Sequence, residues 1–341
     1  MTVLIIPANG ETVSQKKNIM KEFETDVESF ASETGWCSKE DTGFGICTFP
    51  DPVRFEWEPK DQEVLFELSD TADMSRTVFS SEAAGSAEVY NLLLGKQYWW
   101  RAGDSEIRTF FTEDVPPRWM FVDGTFNVRD LGGYTNMDGE RIRQGLIYRG
   151  CELDGLEDGI TLTDKGRETM IRGMGIRFDL DLRGSGEYDS QPYGPLGPSV
   201  AYGDIWSECY GDFLRYKDSC LRVMRVLSDP GNYPVYLHCA IGSDRTGTLV
   251  ALLYGLLRMD YGAICREYEM SSLCFPDDKR SRHGEEWDSF TDGLGQYGDS
   301  FEERCYNYAL SCGTTPEQIG AFRRILLEKA EGGRNDQTEK S

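Results

Sequence analysis

At 341 residues, 39% of them hydrophobic, the chain is longer than one ordinary domain and predicts two, each able to bury its own core. A formal net charge of −23 argues against nucleic acid or an anionic membrane as a general partner, since both reward broad basic surfaces, so an anionic substrate has to be drawn by a local positive site. No run of 18 apolar residues occurs, and the opening Met1-Thr2-Val3-Leu4-Ile5-Ile6-Pro7 is too short and too uncharged for a secretory signal. The expectation is a cytoplasmic protein without stable membrane association. Ten cysteines show no Cys-x-x-Cys pair, and the two histidines, His238 and His283, stand far apart, so neither a disulfide scaffold nor a zinc site is expected. No metal or other cofactor is called for.

In chain order, residues 1–50 form an N-terminal segment. Within it, Ile19, Met20, Phe23, Val27 and Phe30 recur at near-helical spacing over 14–34 and predict one amphipathic helix packed on a neighbouring domain. From 51 to 114 the texture changes to short apolar or alternating runs, Val53-Arg54-Phe55-Glu56-Trp57, Val64-Leu65-Phe66-Glu67-Leu68, Tyr98-Trp99-Trp100-Arg101 and Ile107-Arg108-Thr109-Phe110-Phe111, separated by turn residues. They predict a small β-sandwich. Its order of a tryptophan strand, a Leu92-Leu93-Leu94-Gly95 turn and a final Phe-Phe-Thr strand resembles fibronectin type III domains, and such a unit can bind a protein partner or cover a neighbour. Asp114-Val115-Pro116-Pro117 then reads as a linker.

Residues 118–331 alternate helices with strands and predict an α/β domain. A helix over 164–174 precedes a strand over 176–182, a helix over 220–227 precedes Val235-Tyr236-Leu237, and another helix runs over 245–258. Thr315-Pro316-Glu317 opens the last helix as cap and first turn. The polar tail 332–341 is expected to be flexible.

The chemistry concentrates where the Val235 strand ends. Cys239-Ala240-Ile241-Gly242-Ser243-Asp244-Arg245 joins that strand to an apolar helix, and a strand, a tight loop and a helix N-terminus make an anion site. Backbone N–H groups from Ala240 to Ser243 can face phosphate oxygens, and the helix dipole favours negative charge on a nucleophilic sulfur at Cys239. Arg245 can hold two phosphate oxygens at once, which a lysine cannot. Thr246 can donate to the sulfur and His238 can brace the loop. Asp244, the one carboxylate of the loop, is the candidate to protonate a leaving oxygen, with Asp181, Asp204 and Asp212 upstream as rivals.

His238-Cys239-x-x-Gly242-x-Asp244-Arg245-Thr246-Gly247 resembles the signature of the protein tyrosine phosphatase superfamily, in the Asp-Arg-Thr-Gly form of its atypical bacterial tyrosine and lipid phosphatase branch. Phe126-Asn127-Val128-Arg129-Asp130-Leu131-Gly132-Gly133 is similar to that branch's opening motif, with Val128 in place of an aromatic residue. Arg149 and Asp181-Leu182-Arg183 fall where the branch carries an arginine and an Asp-Leu-Arg strand end. The resemblance covers about residues 118 to 330 and implies a twisted sheet flanked by helices, with phosphomonoester hydrolysis through a phosphocysteine on Cys239. Phosphotyrosine in a protein is the implied substrate class. A phosphoinositide or inositol phosphate is an alternative, which the serine at 243 weakens because some members carry lysine there, and a non-catalytic phosphate-binding module is another. Asn127, Arg129, Asp130, Asp181 and Arg183 are expected to support the loop. The basic cluster Lys279-Arg280-Ser281-Arg282 reads as a solvated loop able to steer anions.

Overall fold

The computed structural model describes residues 2–25, 48–184, 186, 193–274 and 280–329. Strands β1 (Val3–Ile6), β2 (Glu11–Val13), β3 (Val53–Glu58), β4 (Glu63–Ser69), β5 (Thr77–Ala84), β6 (Ser86–Val89), β7 (Gln97–Ala102) and β8 (Arg108–Thr112) form two sheets, ordered β1-β3-β6 and β2-β8-β7-β4-β5. Strict alternation turns one face of each inward: Val53, Phe55 and Trp57 of β3, and Tyr98, Trp100 and Ala102 of β7, are buried. Between the sheets the Phe55 ring lies 5.0 Å from Trp100 and 5.5 Å from Phe110.

Residues 1–50 therefore hold more than the single helix expected of them. β1 pairs with β3 and β2 with β8, so this two-sheet unit begins at Val3 rather than near residue 51. The Val3–Ile6 run buries only Leu4, and so lacks the alternating pattern that marked the later strands. β5 was equally hard to foresee, because it is an edge strand that, apart from Val78 and Phe79, consists of small and polar residues and has no fully buried position. The helix observed in this region is Asn18–Thr25, and its Met20 and Phe23 pack against Trp119, Met270 and Leu273. Val27, Phe30 and the tail 332–341 lie outside the described residues.

The proline linker is stitched from both sides. Leu94 and Gln144 exchange hydrogen bonds of 2.8 and 3.0 Å, Asn91 exchanges two with the Phe121 backbone at 2.9 and 2.7 Å, and the Lys16 ammonium donates to Pro116 O at 2.9 Å.

Beyond it come β9 (Arg118–Trp119), β10 (Arg129–Asp130), β11 (Glu140–Ile142), β12 (Ile147–Gly150), β13 (Phe178–Asp181), β14 (Ala201–Asp204), β15 (Val235–His238) and β16 (Leu327–Lys329). Six of them make a mixed sheet in the order β14-β13-β15-β12-β10-β9, in which β12 to β15 run parallel. β11 and β16 pair separately, so the chain leaves its last helix, Pro316–Leu326, into a strand. That helix opens on Thr315 as expected, with Gln318 N donating to Thr315 Oγ1 and Thr315 N to Gln318 Oε1. The helix expected over 164–174 is α-helical only over Asp164–Glu168 and then widens.

The helix Asp244–Leu256 is buried from Thr246 to Leu256, as its nearly continuous apolar sequence requires. No helix among the described residues is long and apolar enough to cross a membrane. In register, Gly150, Asp181 and His238 stand side by side at the carboxyl ends of β12, β13 and β15. Whatever follows those strands meets at one edge, the usual place for a ligand in a parallel sheet.

Candidate active site

Cys239 leaves β15 buried, and the five residues to Ser243 turn into the helix. The turn needs Gly242, whose φ of +71° is left-handed and where a Cβ would stand 2.3 Å from Gly150 O. The first four carbonyls of the loop are engaged from outside it. Cys239 O lies 3.0 Å from His238 Nδ1, Ala240 O accepts Glu152 N–H at 2.7 Å, Ile241 O accepts Asn127 Nδ2 at 3.1 Å and Cys151 Sγ at 3.0 Å, and Gly242 O accepts the Arg149 guanidinium. In a trans peptide the C=O of one residue and the N–H of the next point in opposite directions. Four carbonyls held outward therefore turn the amides of Ala240, Ile241, Gly242 and Ser243 inward, and none of these donates to an acceptor among the described residues. The Ser243 and Thr246 hydroxyls are buried here without hydrogen-bond partners among the described residues, so the expected contact of Thr246 with the sulfur is not formed.

The supporting residues divide into two groups. Asn127 reaches the loop directly, and Arg129 holds Asn127 while pairing with Glu267 at 2.7 Å. Arg149 meets the other oxygen of Glu267 at 2.8 Å, so two buried guanidinium groups share one buried carboxylate. Burial alone would raise Glu267, yet Arg129 and Arg149 together hold it below the usual carboxylate range. Asp130 serves the neighbouring turn instead, accepting Gly132 N–H at 2.8 Å and Gly145 N–H at 2.6 Å and pairing with Arg118.

Behind the loop, Arg183 is buried among three carboxylates, with nitrogens 2.7 Å from each of Asp181, Asp154 and Glu152. Burial favours neutral Asp181, but His238 and Arg183 hold it down at about 2, which favours its carboxylate form. Asp204 caps Gly186 N–H, and Asp212 sits in a surface pair with Arg215.

Burial would lower the His238 imidazole, but Asp181 and Asp179 raise it to about 9. Its Nε2 is 3.1 Å from Asp179 Oδ1, an ion pair rather than an aligned hydrogen bond. A raised value means that its stabilisation is complete below the ordinary 6.5 and is lost as pH climbs through about 9. Urea unfolding at stepped pH should accordingly show stability falling across this window by about 3 kcal/mol at most, and the slope should vanish in His238→Gln. An unchanged slope in the variant would remove His238 from the loop's electrostatics.

The two remaining loop residues are engaged from the rims. Arg245 Nη2 donates to Glu157 Oε2 at 2.7 Å. Glu157 is held there by Glu152, whose carboxylate accepts the N–H groups of Glu157, Asp158 and Ile160 at 2.9, 2.7 and 3.2 Å. Asp244 takes Arg280 on both oxygens, at 2.6 and 2.9 Å, together with the Tyr210 hydroxyl. Glu152, Glu157, Glu267, Tyr210 and Arg280 are thus site residues that the sequence reading did not place.

Residues 120–328 match the model of a family described as the tyrosine phosphatase family. A protein of Cupriavidus necator, provisionally named a tyrosine-protein phosphatase, is 26% identical over 176 residues, which is 44% of this chain and 61% of that protein. The chain thus spans about three-fifths of the length of this relative. Among solved structures, the core catalytic domain of the PP-IP phosphatase SIW14 from S. cerevisiae, in complex with citrate, aligns with 42% of this chain and 80% of its own at 16% identity and a TM-score of 0.32.

Proposed function

Since the chain belongs to the tyrosine phosphatase family, we propose that it hydrolyses phosphomonoesters by a covalent route through Cys239, with phosphotyrosine in a protein as its substrate class. The observation that carries this reading is the loop itself, in which four carbonyls held outward leave the four amides that follow them free for an anion bound at the loop. The thiolate attacks phosphorus and the P–O bond to the leaving group breaks. Asp244 gives the leaving oxygen its proton, then takes one from the water that attacks the phosphocysteine, and inorganic phosphate departs with the thiolate restored. Arg245 and the loop amides hold the three equatorial oxygens throughout. The scheme needs no metal.

Phosphotyrosine is favoured over an inositol polyphosphate because the rim facing Arg245 carries Glu157 and Asp158, and because Ser243 stands where some members carry lysine. An acidic rim penalises additional phosphates. The two-sheet unit is read as a fibronectin-like β-sandwich that offers a surface to a protein partner, residues 118–331 as the catalytic unit, and the cytoplasm as the compartment that keeps Cys239 reduced. The test is turnover of an activated aryl phosphate, then of phosphopeptides, phosphoinositides and inositol phosphates side by side. Selective release from phosphotyrosine peptides is expected; preference for the inositol compounds would change the substrate class, and binding without release would leave a phosphate-binding module.

Glu157 holds one nitrogen, Nη2, of the guanidinium that the phosphate has to engage, and so acts as an internal competitor. Its pair with Arg245 is partly exposed, and such pairs contribute about 0.2–1 kcal/mol. Glu157→Gln should tighten inorganic phosphate, measured by calorimetry, by roughly two- to fivefold. Weaker binding in the variant would make Glu157 a supporting group instead.

A further inference from the structure

Asp244 is given the proton-donor role in the proposed reaction, yet the structure engages both of its oxygens. Arg280 donates Nε to Oδ1 at 2.6 Å and Nη2 to Oδ2 at 2.9 Å, a bidentate pair in which the arginine side chain is almost wholly buried. Tyr210 donates its hydroxyl to Oδ1 as well. Since that phenol has one proton, the 2.9 Å contact between the two tyrosines runs from Tyr268 to Tyr210, giving a relay directed at the carboxylate. Burial, and then Asp244, raise the Tyr210 hydroxyl, which keeps it a donor.

Two features show that this arrangement is built rather than incidental. The segment that delivers Arg280 is fastened on both sides: Arg280 N–H donates to Ser272 Oγ at 2.8 Å, Ser272 Oγ to Arg280 O at 3.2 Å, and Arg282 grips the buried Glu269 with its Nε 2.9 Å from Oε1. Tyr210 itself has a φ of +54°, a left-handed conformation that costs an aromatic residue about 1–3 kcal/mol. Its N–H is nonetheless held by Thr248 Oγ1 at 3.0 Å, and that hydroxyl in turn donates to Asp244 O at 2.9 Å.

We propose that Arg280 is the positioning residue of Asp244: its two-point grip fixes the carboxyl in the orientation from which it hands a proton to the leaving oxygen. The groups facing Asp244 are Arg280 from the segment ahead of helix Glu285–Leu294, Tyr210 and its preceding Cys209 at the start of the short helix Tyr210–Phe213, and Tyr268 from helix Tyr261–Glu269. Arg280 is the cation that binds both oxygens.

The inference rests on the proposed phosphatase reading, and its test separates the two. In Arg280→Met, turnover of an alkyl phosphate, which needs a proton donor, should fall by roughly tenfold or more. Arg280→Lys should retain most of that rate, and Asp244→Asn should lose at least as much as Arg280→Met. On an activated aryl ester the three variants should differ little. Both esters slowed alike in Arg280→Met, or an alkyl-ester rate left unchanged, would reduce Arg280 to a structural brace and overturn the inference while leaving the phosphatase reading intact. Absence of turnover by the unmodified protein on either ester would overturn both.

Discussion

Replacing Cys239 by serine is expected to abolish release of phosphate from an aryl ester while inorganic phosphate still binds. The substitution removes only the atom that can serve as a nucleophile near neutral pH, because a thiolate is accessible there and an alkoxide is not. The amides of Ala240 to Ser243 are set by carbonyl contacts to Asn127, Arg149 and Glu152, and the guanidinium of Arg245 is held by Glu157, none of which involves the sulfur. Removing the nucleophile of a unit that acts together costs roughly 10⁴-fold or more. Affinity for phosphate should shift much less, by severalfold at most, and calorimetry on the variant would show it. Turnover within tenfold of the wild type would mean that the chemistry lies elsewhere.

The second large effect is expected on stability and comes from a residue that never touches substrate. Glu267→Gln leaves Arg129 and Arg149 buried side by side without the charge that neutralises them. Breaking a buried pair by removing one partner costs about 3–5 kcal/mol, much of it the desolvation of the charge left behind. A carboxamide can accept from one arginine, but its NH₂ faces the other. Because Arg149 also holds Gly242 O and Arg129 holds Asn127, the phosphate loop should loosen along with the fold. Urea unfolding should show the lower stability, and phosphate affinity of the folded fraction should fall. Glu267 is held below its ordinary range, so the stability it contributes is present above that range and fades as the solution is acidified through the lowered value. A variant as stable as the wild type would mean that the two arginines are compensated by other groups.

What the sequence revealed was mostly local. The loop from Cys239 to Arg245 was legible because strand, glycine turn and helix start are consecutive, and the helix Asp244–Leu256 follows from its apolar run. The strands of the two-sheet unit were legible where apolar and polar residues alternate, as in β3 and β7, and not where they do not, as in β1 and β5. Partners that meet only through the fold stayed hidden. Glu267 lies 138 residues from Arg129, and Arg280 lies 36 from Asp244. Neither carries a local pattern. The cluster around Arg280 looked like a solvated loop because basic residues among acids usually are; instead Arg280 and Arg282 turn inward to single carboxylates. Asp130 shows the opposite case, since its place before Leu131-Gly132-Gly133 already contained its role in the turn.

The central claim is that the phosphoryl group passes through Cys239. Mixing the protein with an excess of activated aryl phosphate, quenching in acid within milliseconds to seconds and mapping the digest by mass spectrometry addresses it directly. A peptide containing Cys239 that carries one phosphoryl group, formed during turnover and missing in Cys239→Ser, is the result expected. Steady release of phosphate with that peptide unmodified at every time point would contradict the account.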